Sequence, residues 1–231
     1  MKRLAVLILC LCLLCLPVRA EDEKLVALTF DDGPSGRFTR QLLNGLETRD
    51  AKATFFLCGY RMEQYPNLTE RIFRDGHEIG LHGYSHKSME HMCRQEILQE
   101  LEKTIALLPD GCIVSFLRTP GGLCGNCAGA AAEALGLSVL SWSVDPKDWS
   151  ANDPATIEKA VVSRVRDGDV ILMHDMSNSS VKAALAIVDK LQAQGYRFVT
   201  VSELAKARGI APVPGKIYSR FDAIVASCPL P

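Results

Sequence analysis

Leu25-Val26-Ala27-Leu28-Thr29-Phe30-Asp31-Asp32-Gly33-Pro34 is the stretch from which the fold of this chain is read. A short run of apolar and β-branched residues makes a strand candidate, and two adjacent carboxylates before Gly33-Pro34 turn the chain at once. By itself the polar end is also what a turn with a helix cap requires. Outward from it, the same kind of run recurs at Ala53–Leu57, His77–Gly80, Ile113–Leu117, Leu137–Trp142, Asp169–Met173 and Arg197–Val201. Between these lie helical patterns. Leu42, Leu43 and Leu46 mark one, Ile97, Leu101, Ile105 and Leu108 a second, and Val181, Leu185, Val188 and Leu191 another. Asp153 before Pro154 reads as an N-cap with proline in the first turn, and Ile157, Val161 and Val165 continue that helix's face. Strand and helix alternate with short connections, which predicts one α/β domain over residues 21–210 with a mostly parallel sheet of about seven strands, open or closed into a barrel. Residues 211–231, with four prolines, are expected to be an irregular tail.

Composition narrows the class. The chain has 231 residues, 48% hydrophobic and 23% charged, which excludes a disordered tail, a collagen-like repeat and a multi-span membrane protein. Lys2 and Arg3 precede an apolar run, Leu4–Leu16, shorter than the roughly 20 residues a spanning helix needs. Residues 1–20 therefore read as a secretory signal peptide cut after Ala20, with an uncleaved anchor as the alternative. The remainder carries 23 basic and 27 acidic side chains and no basic stripe, so a nucleic-acid partner is not expected. Cleavage also leaves no stable membrane partner, and a monomer is expected. Six cysteines remain, Cys58, Cys93, Cys112, Cys124, Cys127 and Cys228, a number that permits disulfides without requiring them.

Polar clusters fall at or just after the strands' C-terminal ends, where α/β folds place their sites. Besides Asp31 and Asp32, His82-Gly83-Tyr84-Ser85-His86 brings two imidazoles four residues apart. One carboxylate and two imidazoles form a ligand set that leaves metal positions open, as in a catalytic site. Non-haem iron oxygenases use the same ligand types, but their usual His-x-Asp/Glu run is missing. A zinc-protease helix is excluded as well, because His82 follows His77-Glu78 at i+5 rather than i+4.

These motifs resemble those of the polysaccharide deacetylases, the family-4 carbohydrate esterases with a NodB-type domain. Thr29–Pro34 is similar to the family's first motif, residues 76–86 to its second, Arg118-Thr119-Pro120 to its third, Asp145-Pro146-Lys147-Asp148-Trp149 to its fourth and Leu172-Met173-His174 to its fifth. The resemblance implies a distorted (β/α) barrel of about seven parallel strands. It implies that Asp32, His82 and His86 bind a divalent metal, zinc foremost, with cobalt, manganese or nickel as alternatives. It further implies that Asp31 is the general base, paired with Arg118, and His174 the general acid, paired with Asp148, while Pro120, Gly121, Trp149 and Leu172 contact the sugar. The expected substrate is an N-acetylated polysaccharide, peptidoglycan or chitin-like, with O-acetyl xylan esterase and a non-catalytic saccharide-binding module as alternatives. Two positions depart from the family pattern: Gly83 replaces a Ser or Thr, and Gly121 replaces an aromatic residue, which should widen one wall of the groove.

The remaining candidates have plainer readings. Cys124-Gly125-Asn126-Cys127 is expected to be a structural or inert pair rather than a redox motif. His91 is expected at the surface and His77 in the core. Cys112, ahead of its strand, belongs at the opposite end of the sheet from Cys58, Cys93, Cys124 and Cys127.

Overall fold

The computed structural model describes residues 23–222 and 224–225, so the apolar N-terminal run and Cys228 lie outside the described residues. In chain order the elements are β1 (Lys24–Asp31), α1 (Gly36–Glu47), β2 (Thr54–Leu57), α2 (Gly59–Gln64), α3 (Pro66–Arg74), β3 (Glu78–Leu81), α4 (Arg94–Ile105), β4 (Phe116–Leu117), a 3-10 turn (Pro120–Gly122), α5 (Ala128–Ala134), β5 (Ser138–Leu140), α6 (Pro154–Val162), β6 (Val170–His174), α7 (Asn178–Ala193), β7 (Tyr196–Val199), α8 (Val201–Ala207), β8 (Ile217–Tyr218) and β9 (Ile224–Val225).

The sheet runs β6-β1-β2-β3-β4-β5-β8-β9, with β7 paired to the first half of β1. Every pairing among the first seven strands is parallel. The sheet curls until the segment after β5 meets the free edge of β6 at a single parallel bridge, Val144 to Ile171. The result is the distorted barrel that the motifs imply, closed at this seam by isolated bridges, since Asp169 also bridges antiparallel to Arg220, rather than by a ladder.

Alternation along β1 sorts its side chains between two cores, because successive residues of a strand face opposite sides. Leu25 and Ala27 point inward and join Phe56, Phe116, Leu140 and Val170 in the barrel's interior. Val26, Leu28 and Phe30 point outward, onto Leu42, Leu43 and Leu46 of α1 and Val181, Ile187 and Val188 of α7. Each such fully buried side chain contributes about 1.5–3 kcal/mol. Asp153 caps α6 as expected, accepting from the N–H groups of Ala155 and Thr156.

The structure corrects the sequence reading in four places. Of Ile113–Leu117 only Phe116 and Leu117 form strand, because Ile113 is left 84% exposed with no neighbouring face to cover it. Helix α4 ends at Ile105, before Leu108 and the helix-breaking Pro109, and α6 ends before Val165. The segment after residue 210 is not irregular throughout: β8 pairs in parallel with β5, and Tyr218 and Phe221 are buried with their rings stacked 5.6 Å apart. These two rings pack in the barrel interior beside Phe116, which no local pattern announces.

Candidate active site

The inward parity that places Leu25 and Ala27 in the barrel also places Thr29 and Asp31 above them. At the strands' C-terminal ends it brings Arg118, following β4, and His174, ending β6, to the same mouth. Arg118 is fully buried, its guanidinium 4.1 Å from the centroid of the Phe56 ring. Gly80 makes room for that ring, since a Cβ there would lie 2.5 Å from it. The arginine's donors are all directed inward: Nη1 to Thr29 Oγ1 and Asp31 Oδ1, both at 2.7 Å, Nε to the Leu140 carbonyl and Nη2 to the Ser141 carbonyl. Asp31 is thereby held beside a permanent positive charge in a place that water scarcely reaches.

Asp32 stands one residue past the inward face, and its φ of 73° turns it out of the strand. Gly33 follows because nothing larger fits: a Cβ would sit 2.7 Å from Asp175 Oδ1. Asp32 Oδ1 lies 3.3 Å from His82 Nε2 and 2.9 Å from His86 Nε2, and the three ligand atoms fall within 4.8 Å of one another. That buried oxygen nevertheless receives no hydrogen bond. His82 is fixed from behind, its Nδ1 2.7 Å from the Arg118 carbonyl, so Nδ1 carries the proton and Nε2 presents its lone pair to the cluster. Burial pushes the Asp32 carboxyl upward, but the two imidazoles outweigh it and hold it well below the usual carboxylate range. The neighbouring Asp32 carboxylate raises His86 in turn, against its burial. An orphaned carboxylate oxygen, a pre-oriented imidazole and a cluster that draws positive charge fit a divalent cation.

On the far strand, Asp148 receives His174 twice: its Oδ1 lies 2.8 Å from His174 Nδ1, and its Oδ2 accepts the His174 backbone N–H at 2.9 Å. Burial would lower this imidazole, yet the Asp148 hydrogen bond and charge, aided by Asp31 and Asp32, raise it to about 9. Nε2 is the nitrogen left for a substrate.

The family model for polysaccharide deacetylases matches residues 19–140. The chain is 37% identical over 194 residues to a peptidoglycan-N-acetylglucosamine deacetylase of Bacillus cereus, covering 80% of this chain and 90% of that one. The chain belongs to the polysaccharide deacetylase family. It is also 35% identical over 188 residues to the peptidoglycan-N-acetylglucosamine deacetylase PgdA of Listeria monocytogenes, covering 80% of this chain but only 40% of that longer protein. Among solved structures, a family 4 acetyl xylan esterase from Clostridium thermocellum, in complex with a cobalt ion, matches with a TM-score of 0.81 at 30% identity, over 87% of this chain and 100% of that one.

The cleft holds about 410 Å³ and is lined by Asp31, Asp32, His82, His86, Gly121, Gly122, Trp142, Asp145, Trp149, Leu172 and His174. Of the residues expected to contact sugar, Gly121, Leu172 and the 69% exposed Trp149 lie on it. Pro120 is buried at the start of the 3-10 turn and is not among the residues that line the cleft. At Gly121 a Cβ would meet nothing within 4 Å, so the wall is open where the family's aromatic residue is missing. Trp142 and Gly122 were not singled out by the sequence. They interlock, since a Cβ on Gly122 would come within 2.4 Å of the Trp142 ring. The available signal was a second tryptophan seven residues ahead of Trp149, at the end of a strand candidate.

His91 is exposed and His77 buried, as expected; His77 accepts the Ala53 N–H on Nδ1, and burial lowers its pKa to about 4. Cys112 packs against the outer core, with Glu78 and Glu70 near enough to add to the upward push of burial on its thiol. Cys58 is buried, and its thiol is pushed up by burial and then by the charges of Asp32 and Asp31.

Proposed function

We propose that this chain is a metal-dependent hydrolase that removes acetyl groups from N-acetylated amino sugars of a polysaccharide, peptidoglycan first and chitin-like polymers second. One observation carries the reading. A single cleft contains a carboxylate paired with a buried arginine, an imidazole kept protonated by a carboxylate, and a cation-binding cluster between acid and base in chemical role.

Asp32, His82 and His86 would hold the divalent ion, zinc in this proposal. Bound there, it supplies Lewis acidity toward the acetyl carbonyl and the attacking water. Asp31 accepts the proton that water loses as its oxygen bonds to the acetyl carbon, and Arg118, 2.7 Å from its Oδ1, keeps that carboxylate aimed at the cleft. His174 then delivers its Nε2 proton to the sugar nitrogen as the C–N bond breaks, so that acetate and a free amine leave. Asp148 makes this possible twice over, by fixing the ring through Nδ1 and by stabilising the imidazolium. Trp149 at the rim and Trp142 within the cleft offer ring faces to the sugar.

Export, with cleavage after Ala20, belongs to the same reading, because these polymers lie outside the cytoplasmic membrane; among the described residues no helix is long and apolar enough to cross one. A monomer suffices, since every residue named here comes from one chain.

The likeness to an acetyl xylan esterase supports a second reading, cleavage of O-acetyl esters in the same cleft. Measuring acetate released from peptidoglycan, N-acetylglucosamine oligomers and acetylated xylan separates the two. Release from the amino sugars, abolished by a chelator and restored by zinc or cobalt, is the expected result. Release from xylan alone would select the esterase, and undiminished turnover after chelation would overturn both.

A further inference from the structure

The two metal-ligating histidines are joined by Gly83-Tyr84-Ser85, a loop that belongs to no helix or strand. Two residues of this segment sit in the left-handed region, Gly83 at φ 75° and His86 at φ 59°. For His86 that conformation costs free energy, so something outside the loop must impose it. Gly83 has no side chain with which to do so.

The surroundings of the loop supply the restraint from two directions. From one side, the first N–H groups of α2 take its carbonyls: Gly59 N donates to Gly83 O and Tyr60 N to Tyr84 O, both at 3.0 Å. From the other side, α4 brings in Glu100. A single oxygen, Oε2, accepts the Tyr84 N–H at 3.0 Å, the Ser85 N–H at 2.7 Å and the Ser85 hydroxyl at 2.8 Å. Hydrogen bonds to an ionised acceptor are the strong kind, and consecutive N–H groups converging on one anion form a nest that fixes the backbone between them. Ser85 is the residue immediately before His86. Glu100 also touches none of the cleft-lining residues through a hydrogen bond, so its influence on chemistry passes through the loop.

We propose that Glu100 is the positioning residue of the metal loop: its carboxylate, acting on Tyr84 and Ser85, sets where His86 stands relative to Asp32 and His82. The inference rests on the metal site of the proposed function. Its consequence is a site whose cation affinity depends on a residue 14 positions beyond the last ligand in sequence. Losing such outer partners weakens metal binding about 10- to 100-fold.

The test is zinc titration by calorimetry into chelator-stripped full-length protein, comparing wild type, Glu100→Ala, Glu100→Gln and Glu102→Gln. Glu102 is exposed on the same helix and serves as the charge control. Expected are a 10- to 100-fold weaker zinc constant for E100A, partial recovery in E100Q, which keeps an acceptor oxygen, and no change in E102Q. Hydrogen exchange in the metal-free proteins gives a second reading that needs no activity: the Tyr84 and Ser85 amides should exchange faster in E100Q than in wild type. If E100A fails to fold, the E100Q exchange comparison decides alone. Wild-type zinc affinity in E100A, equal losses in E100A and E102Q, or unchanged Tyr84 and Ser85 exchange in E100Q would each overturn the proposal. A wild type that takes up no zinc overturns the metal reading and this proposal with it, whereas tight binding by wild type and E100A alike overturns this proposal alone.

Discussion

The two ends of the barrel each enclose carboxyl groups, and they treat them in opposite ways. At the lower end Glu78, the first residue of β3, accepts from Thr54 Oγ1 at 2.8 Å, Ser202 N at 3.1 Å and the Ser202 hydroxyl. Burial raises its pKa while these donors pull it back, and both oxygens are engaged by the fold itself. The barrel interior is packed with Tyr218 and Phe221 beside Phe116. At the upper end Asp32 Oδ1 has no hydrogen bond, and Asp31 is held on one oxygen by Arg118 while its other lies 3.8 Å from His82 Nε2. A buried carboxylate saturated by its own chain is architecture. One left with a lone pair toward a cleft is available for chemistry, at a cost in stability that the saturated end helps to offset.

The sharpest way to break this contrast is at Asp31. Asp31→Asn keeps the shape but removes the base, and acetate release per folded molecule should fall by about 10²–10⁴-fold, with some loss of stability because the buried Arg118 loses its counter-charge. Near-normal turnover would reduce Asp31 to a turn residue and erase the distinction. The converse test is at the lower end: Phe221→Ala should cost about 3–5 kcal/mol in urea unfolding while the zinc affinity of the folded protein stays as it was. A loss of zinc affinity larger than the loss of stability would mean that the two ends are not separable.

A finer test uses pH. His174, raised to about 9, is protonated below that value, so the rate should fall on the alkaline side as pH rises through about 9. Removing the Asp148 charge leaves burial, which lowers the imidazole, as the dominant influence. In Asp148→Asn the alkaline limb of kcat/KM should therefore move down toward or below the ordinary histidine value, and an unmoved limb would remove His174 from the acid role. The smallest effect is expected at Glu78. Glu78→Ala leaves the Thr54 and Ser202 donors unpaired and should cost about 1–3 kcal/mol of stability, with kcat/KM per folded molecule unchanged. A drop in kcat/KM with full stability would show that the lower end takes part in catalysis.

Strands β1 to β7 each overlap an apolar run, because a run that ends in turn residues identifies itself locally. The same holds for Asp153, whose cap is a bond between near neighbours. Asp31, Asp32, His82, His86, Arg118, Asp148 and His174 were legible as residue types in order along the chain; parity brings Asp31, His82, Arg118 and His174 to one mouth, because inward-facing positions of parallel strands share it, whereas Asp32, His86 and Asp148 reach it through the loops that follow the strands. What the chain alone does not display depends on distant partners. Strand β8 exists through its pairing with β5, and Ile113 fails to join β4 because nothing lies opposite it. The six-residue helix α2 is too short to show a period. Pro120 lies buried while Trp142 lines the cleft, a difference set by which face each presents after folding.

Sequence by itself thus determined the strand and helix order and which side chains could carry the chemistry, since those depend on spacing along the chain and on functional groups. Only the tertiary structure decided which oxygen is saturated and which is left open, where the barrel closes, and that Glu100 of α4 reaches the loop between the two histidines. Those facts are distances between residues far apart in the chain, and they exist only once the packing of helices on the sheet has brought the partners together.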